Sequence, residues 1–188
     1  HYLFYNQNVL KKYGNFAKIN PPIRMNSDKK ALWDGIYNKD IDILASDHAG
    51  FCYDEKVNEE EIEKAPPGHP GVNSMIYTLM DKIDNKKFKL DNLIKLCSIN
   101  PAKRFGIFPN KGSINLNNNA DITIINLNKT HKYSLQNQFS KAKDSDVLYT
   151  NKKYTGKIEY TIVNGDIIYN GNTINVNNKP GKFLSPNN

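Results

Sequence analysis

The 188-residue sequence predicts an α/β fold: the last piece of an α/β barrel followed by a small β module. Three observations carry this. Helical and strand patterns alternate up to residue 106. Within that region a helix, a tight turn and a short apolar strand follow one another, which is half of a βα repeat. After Gly106 the pattern is β only, and Asn164-Gly165 is the best two-residue hairpin signal in the chain. The predicted division is therefore residues 1–106 for the barrel part and 107–188 for the β module.

Taken in order, residues 1–5 (HYLFY) are rich in aromatic and β-favouring side chains and predict a strand. A buried-looking strand without any lead-in suggests a sequence cut from something longer. Asn20-Pro21-Pro22 must be extended, because proline fixes φ and forces the preceding residue out of the helical region. Such a stiff loop fits two readings, presentation of the Asn20 side chain at a fixed position or a plain surface turn. Ser27 opens a helix with Leu32, Trp33, Ile36 and Tyr37 on one face. Residues 41–46 (IDILAS) follow as an apolar strand, with Asp47-His48 directly after it.

A loop carries the acidic run at 59–61 and the breaker cluster at 66–71 (PPGHPG). The cleanest helix comes next, with Val72, Met75, Ile76, Leu79, Met80 and Ile83 at three- and four-residue steps. A second helix carries Leu90, Leu93, Ile94 and Cys97. A third is predicted to start afresh with Asn100 as N-cap and Pro101 in the first helical position, ending near Gly106. Residues 121–127 and 159–163 are strands, the latter joined to 166–169 by the Asn-Gly turn. Asn117-Asn118-Asn119 and Asn177-Asn178 read as turns.

Composition removes several function classes. No apolar run approaches a membrane span, and the first residues lack a signal-peptide layout, so neither a membrane protein nor a secretory precursor is expected. Two cysteines, Cys52 and Cys97, cannot build a disulfide framework or a paired-cysteine zinc site. They read as free thiols in a reducing compartment, Cys97 as a core residue. The net charge of +7 comes almost wholly from lysines spread singly, with no basic stripe interleaved with aromatics. It reads as a solvated lysine surface rather than a nucleic-acid site.

The sharpest chemical signal is Asp47-His48 at the carboxyl end of an apolar strand. In α/β barrels that end faces the active site, where a carboxylate binds a metal or shuttles a proton. Two readings stand for each residue. Asp47 is a functional carboxylate or the cap of a following turn, and His48 a functional group or a satisfied hydrogen-bonding histidine. His69 and His131 read as ordinary surface residues. No dinucleotide fingerprint, phosphate loop or nucleophile elbow is present.

Residues 41–56 (IDILASDHAGFCYDEK) resemble the second signature of dihydroorotases, in which Asp-His-Ala-Pro-His is followed after four residues by lysine. The same family is resembled, in the same order, by His1-Tyr2-Leu3, Asn20-Pro21-Pro22-Ile23-Arg24, the ALWDGI helix and Ala65-Pro66-Pro67-Gly68. Further matches are Asn100-Pro101-Ala102 through Phe105-Gly106, Lys111-Gly112-Ser113-Ile114 with Ala120-Asp121-Ile122, and Gly156-Lys157 through the TIVNGDIIYNG hairpin. The resemblance covers nearly the whole chain. It reaches the cyclic-amide branch of the amidohydrolase superfamily, whose hydantoinases, dihydropyrimidinases and allantoinases share much of the pattern.

The resemblance implies the C-terminal part of a (β/α)8 TIM barrel of amidohydrolase type plus a small β-sandwich. It also implies a binuclear site, usually zinc, that interconverts dihydroorotate and N-carbamoyl-aspartate, a step of pyrimidine biosynthesis. Asp47 matches the aspartate that binds the more exposed metal ion and carries a proton from the attacking hydroxide to the leaving amide nitrogen. Asn20 would contact the substrate ring, and the backbone at Pro67 and Gly68 would close over it. Gly50-Phe51 replaces the family's Pro-His, whose histidine helps hold the substrate carboxylate. Phenylalanine cannot donate a hydrogen bond, and hydantoinases also have phenylalanine there, so Phe51 bears on which ring is bound.

The family's His-x-His pair, bridging lysine and two later histidines all match positions upstream of His1, and His1 matches none of them. One carboxylate cannot hold two zinc ions, so this piece alone is expected to be inert. The expectation is a cytoplasmic dihydroorotase whose front part lies on the same or a separate chain. Its partner is a small cyclic amide, not a nucleic acid or membrane, and a homo-oligomer is compatible with it. The alternatives are a hydantoinase, dihydropyrimidinase or allantoinase, and a non-catalytic scaffold that has lost its metal ligands.

Overall fold

The computed structural model describes residues 1–83, 86–175, 177 and 179–186. The chain forms two compact units that interleave along the sequence. One contains His1–Ile41, Ala45–Thr78 and Lys132–Lys153; the other contains Asp42–Leu44, Leu79–His131 and Tyr154–Asn188.

In the first unit, residues 1–5 form a turn and not the predicted strand, with the amides of Phe4 and Tyr5 both returning to the His1 carbonyl. The aromatic side chains that suggest a strand pack against residues distant in sequence instead. Phe4 meets Trp33 edge-on at 6.0 Å, and the Trp33 indole N–H donates to Leu3 O at 2.8 Å. Helix α1 (Val9–Tyr13) is a single short segment, followed by a 3-10 turn (Gly14–Ala17) and then, where the sequence predicts an extended loop, by a bend at Asn20-Pro21, whose peptide bond is cis. Helix α2 (Asn26–Asn38) begins one residue before the predicted Ser27, because the Asp28 carboxylate accepts the Met25 N–H at 2.9 Å. It ends where Lys39 turns left-handed (φ 67°) and Asp40 N–H returns to Gly35 O at 2.8 Å. Ile36 is its buried anchor.

The predicted strand at 41–46 joins no ladder among the described residues. The Leu44 amide donates to Leu96 O at 3.1 Å, and one parallel bridge forms further on, between His48 and His69. A parallel strand needs an aligned neighbour for its backbone groups, and a single bridge does not make one. Helix α3 (Tyr53–Val57) follows, its start capped by the Glu55 carboxylate on the Cys52 N–H at 2.6 Å. Helix α4 (Ser74–Met80) is shorter at both ends than the predicted 72–83. The Gly71 and Val72 amides just before it donate to the His48 ring. Residues 81 and 82 form a turn in which the Asp81 carboxylate accepts the Thr155 N–H at 2.8 Å. The core of the first unit contains Val9, Ile19, Ile23, Leu148 and Tyr149.

In the second unit α5 (Leu90–Ile94) runs through a widened π-turn (Lys95–Ile99) into α6 (Asn100–Arg104). The predicted fresh start at Asn100 is corrected: Ile99 and Asn100 both have helical backbone angles. Pro101 has no N–H to give the preceding turn, and the π-turn widens the helix there. The Asn100 side chain therefore does not cap; its amide donates to Asp42 O at 2.8 Å.

Strands β1 (Ile122–Tyr133), β2 (Lys152–Val163) and β3 (Asp166–Tyr169) form a sheet in that order. β2 and β3 are antiparallel, with Val163 opposite Asp166 and a register shift between Thr161 and Ile162. Asn164 (φ 48°) and Gly165 (φ 90°) make the turn predicted from Asn-Gly, since its two central residues need positive φ. Residues 117 and 118 lie in a turn as expected; of the pair at 177–178, Asn178 lies outside the described residues. Together these elements are an α/β piece with a three-stranded sheet.

Candidate active site

Asp47 directly follows residues 41–46, and its backbone is left-handed (φ 47°). That region is uncommon for a residue with a side chain, though aspartate tolerates it better than most. The carboxylate is about half exposed, with 52% of its side-chain surface open. His1 Nε2 lies 3.2 Å from Asp47 Oδ2, and the imidazole itself is 2% exposed. The Tyr2 hydroxyl sits 2.8 Å from Pro21 O and 3.3 Å from the same Asp47 oxygen, so its one proton serves two acceptors. Burial first, then the Asp47 charge, push the Tyr2 phenol up to about 12. It stays a neutral donor at physiological pH.

The neighbouring residues assemble on the same segment. His48 Nδ1 accepts the Gly71 amide at 3.1 Å and the Val72 amide at 3.3 Å. Ala49 N–H donates to His69 O at 3.2 Å. Gly68 lies so close to Ala49 and Phe51 that a Cβ there would come 2.6 Å from Ala49 Cβ and 2.9 Å from Phe51 Cε2. Only glycine fits that approach. The Ser145 hydroxyl holds the Phe51 carbonyl at 2.6 Å.

Gly68 N–H also donates to Lys18 O at 2.9 Å, which ties the 67–68 loop to the segment before Asn20. Asn20 and Pro67 are exposed or partly so, Gly68 is buried and Phe51 is partly buried. Phe51 and Gly68 are thus brought into direct contact, while Asn20 precedes the proline whose carbonyl shares the Tyr2 hydroxyl with Asp47. Sequence reasoning missed Tyr2 and the closeness of His1 to Asp47. Both lie some 45 positions away, and no local pattern could have found them.

His69, predicted to be a surface residue, is fully buried. Its Nε2 faces Asp146 Oδ1 at 3.1 Å, and the Tyr133 hydroxyl donates to the other Asp146 oxygen at 3.0 Å. Burial lowers the imidazole's pKa against the opposing pull of Asp146, which keeps the ring neutral. Lys56, from the segment resembling the family signature, is also fully buried. Its ammonium donates to Asn15 O at 2.8 Å and Lys18 O at 3.4 Å.

A zinc ion takes four donors in a tetrahedral shell, or three plus water. Among the described residues no three His, Cys, Asp or Glu side chains come together as such a group. His1 and Asp47 supply two donors at most, so this chain by itself does not fit a binuclear zinc centre. No helix among the described residues is long and apolar enough to cross a membrane.

The chain is 36% identical over 174 residues to a dihydroorotase of Methanosphaera stadtmanae, covering 93% of this chain and 39% of that protein. It is 34% identical to a dihydroorotase of Clostridioides difficile, covering 90% of this chain and 38% of the relative. This chain thus spans about two-fifths of the length of the curated relatives it matches.

Among solved structures, L-hydantoinase (dihydropyrimidinase) from Arthrobacter aurescens superposes with a TM-score of 0.82 at 24% identity, over 93% of this chain and 39% of that one. Dihydropyrimidinase from Brevibacillus agri gives 0.81 at 20% identity, over 92% and 38%. These likenesses establish the fold. With residues 8–168 also matching the amidohydrolase family, the chain belongs to that family.

Proposed function

We propose that this chain is the C-terminal portion of a cyclic amidohydrolase, a dihydroorotase that interconverts dihydroorotate and N-carbamoyl-aspartate. The observation that carries the reading is an accessible Asp47 carboxylate, held in left-handed backbone on the same stretch of chain that brings Ala49 and Phe51 against Gly68. In ring opening, water adds to the amide carbonyl carbon, its proton passes to the carboxylate, and the same proton goes to the leaving nitrogen as the C–N bond breaks. Asp47 performs both transfers. Asn20 contacts the ring, Phe51 forms an apolar wall, and the backbone of Pro67 and Gly68 covers the substrate. The dihydroorotase relatives support this choice of substrate.

The two zinc ions implied by the family draw their remaining ligands from the part of the barrel that this chain does not span, on the same or a separate polypeptide. In this reading residues 1–106 complete the barrel, and 107–188 belong to a β-sandwich. The enzyme works in the cytoplasm, and a homo-oligomer is compatible with it. A second reading, hydantoinase or dihydropyrimidinase, is favoured by Phe51, which cannot bond a substrate carboxylate as histidine does.

The test is ring opening and closure by the full-length protein with dihydroorotate, hydantoin, dihydrouracil and allantoin, for wild type and Asp47→Ala. Turnover of dihydroorotate, lost by about 10²–10⁴-fold in Asp47→Ala, is expected. Retained turnover in Asp47→Ala removes the residue from the mechanism. A preference for rings without a carboxylate selects the second reading, and no turnover of any ring leaves the scaffold.

A further inference from the structure

Asp47 is the one residue of its segment whose backbone is left-handed, and such conformations persist where the surroundings over-determine them. What holds Asp47 is visible on both sides. Before it, Ser46 O lies against Gly71 so closely that a Cβ on Gly71 would overlap it. After it, the Ala49 amide is bonded to His69 O at 3.2 Å. Between these anchors is His48, whose Nδ1 receives two converging amide hydrogens, from Gly71 at 3.1 Å and Val72 at 3.3 Å. Two donors aimed at one ring nitrogen require that nitrogen to be the unprotonated one, which places the ring hydrogen on Nε2. The Nε2 edge lies over Gly50, where a Cβ would come within 3.0 Å of it.

We infer that His48 is a positioning residue: through its Nδ1 bonds to the Gly71 and Val72 amides it fixes the Asp47 backbone and couples it to the loop that covers the substrate. The inference rests on the ring-opening reading and deepens it. His48 touches no reacting atom. The 71–72 turn continues directly from the 67–69 loop, so one imidazole joins the proton-carrying residue to the covering loop. A general acid–base group must be held at hydrogen-bonding range of the proton it moves, and a displacement of an ångström costs about 100-fold in rate.

The test compares His48→Asn, His48→Gln and His48→Leu in the full-length protein. Asparagine keeps an acceptor near the position of Nδ1, glutamine moves it outward to the position of Nε2, and leucine removes it. His48→Gln and His48→Leu are expected to lose about 10–100-fold in kcat with KM little changed, while His48→Asn stays within a few-fold of wild type. Tm should be closely similar in all three. Wild-type kcat in His48→Leu, equal kcat in His48→Asn and His48→Gln, or losses that track Tm each overturn the assignment.

Amide exchange over residues 71–72 reports the same contact without turnover, so it tests the coupling even if the wild-type protein opens no ring. Faster exchange in His48→Leu but not His48→Asn supports the coupling, and unchanged exchange in His48→Leu refutes it. A wild-type protein that opens no ring would overturn the proposed reaction, whereas the exchange rates bear on His48 alone.

Discussion

Phe51 and Gly68 act as a pair at the level of single residues. The ring edge of Phe51 occupies the space that a side chain at 68 would need, so the covering loop approaches only because position 68 is glycine. At Asp47 the Tyr2 phenol, pushed up to about 12, faces the carboxylate as a neutral donor. If the substrate is dihydroorotate, its carboxylate gains no hydrogen bond from position 51. Phe51→His should restore one, and a charge-assisted bond contributes about 1.5–3 kcal/mol, or roughly tenfold and more. The expected outcome is a roughly tenfold rise in kcat/KM for dihydroorotate relative to hydantoin. An unchanged ratio would show that position 51 does not meet the carboxylate.

Among the elements, those set by local chemistry are legible in the sequence. The Asn164-Gly165 hairpin is one, because two residues with positive φ need no distant partner to be recognised. Helix α2 is another, through its apolar face, although its start is set by Asp28 and not by Ser27. The elements that depart from expectation depend on distant contacts. Residues 1–5 look like a strand by composition, yet Trp33 and Tyr149 claim their aromatic side chains. Asn100-Pro101 looks like a helix start, yet Asp42 O takes the Asn100 side chain and the helix runs on. At the site, Asp47 stands out by its place after an apolar run, whereas His1 and Tyr2 reach it only through the fold.

Lys56 belongs to this scale too, since it ties α3 to the carbonyls of Asn15 and Lys18. Burial, and then the Lys18 charge, lower its pKa from 10.5 to about 8. Between those values the unfolded chain keeps a proton that the folded protein has released. Stability therefore rises with pH across the window from about 8 to 10.5, and the group opposes folding below it. Removing the amine by Lys56→Met should abolish this rise, a difference on the order of 2–3 kcal/mol across the window. Urea unfolding of the full-length wild type and variant at several pH values checks it; parallel pH profiles would show that Lys56 is not held as described.

For the whole molecule the decisive quantity is the number of metal donors. His1 Nε2 and Asp47 Oδ2, 3.2 Å apart, are two atoms where even one zinc ion needs at least three from protein. Among the described residues nothing completes the set. The chain spans about two-fifths of its dihydroorotase relatives, which leaves ample polypeptide to carry the other ligands. If the proposed enzyme assembles its centre in this way, Asp47 lends one donor to a site built largely elsewhere. The full-length protein, purified gently, should then carry about two zinc ions per site; dialysis against a chelator should abolish ring opening, and added zinc should restore it. Elemental analysis alongside the activity assay decides the outcome. Zinc near zero in freshly purified protein, with no gain of activity when zinc is added, would mean that the fold persists as a scaffold and that the exposed carboxylate of Asp47 serves no metal.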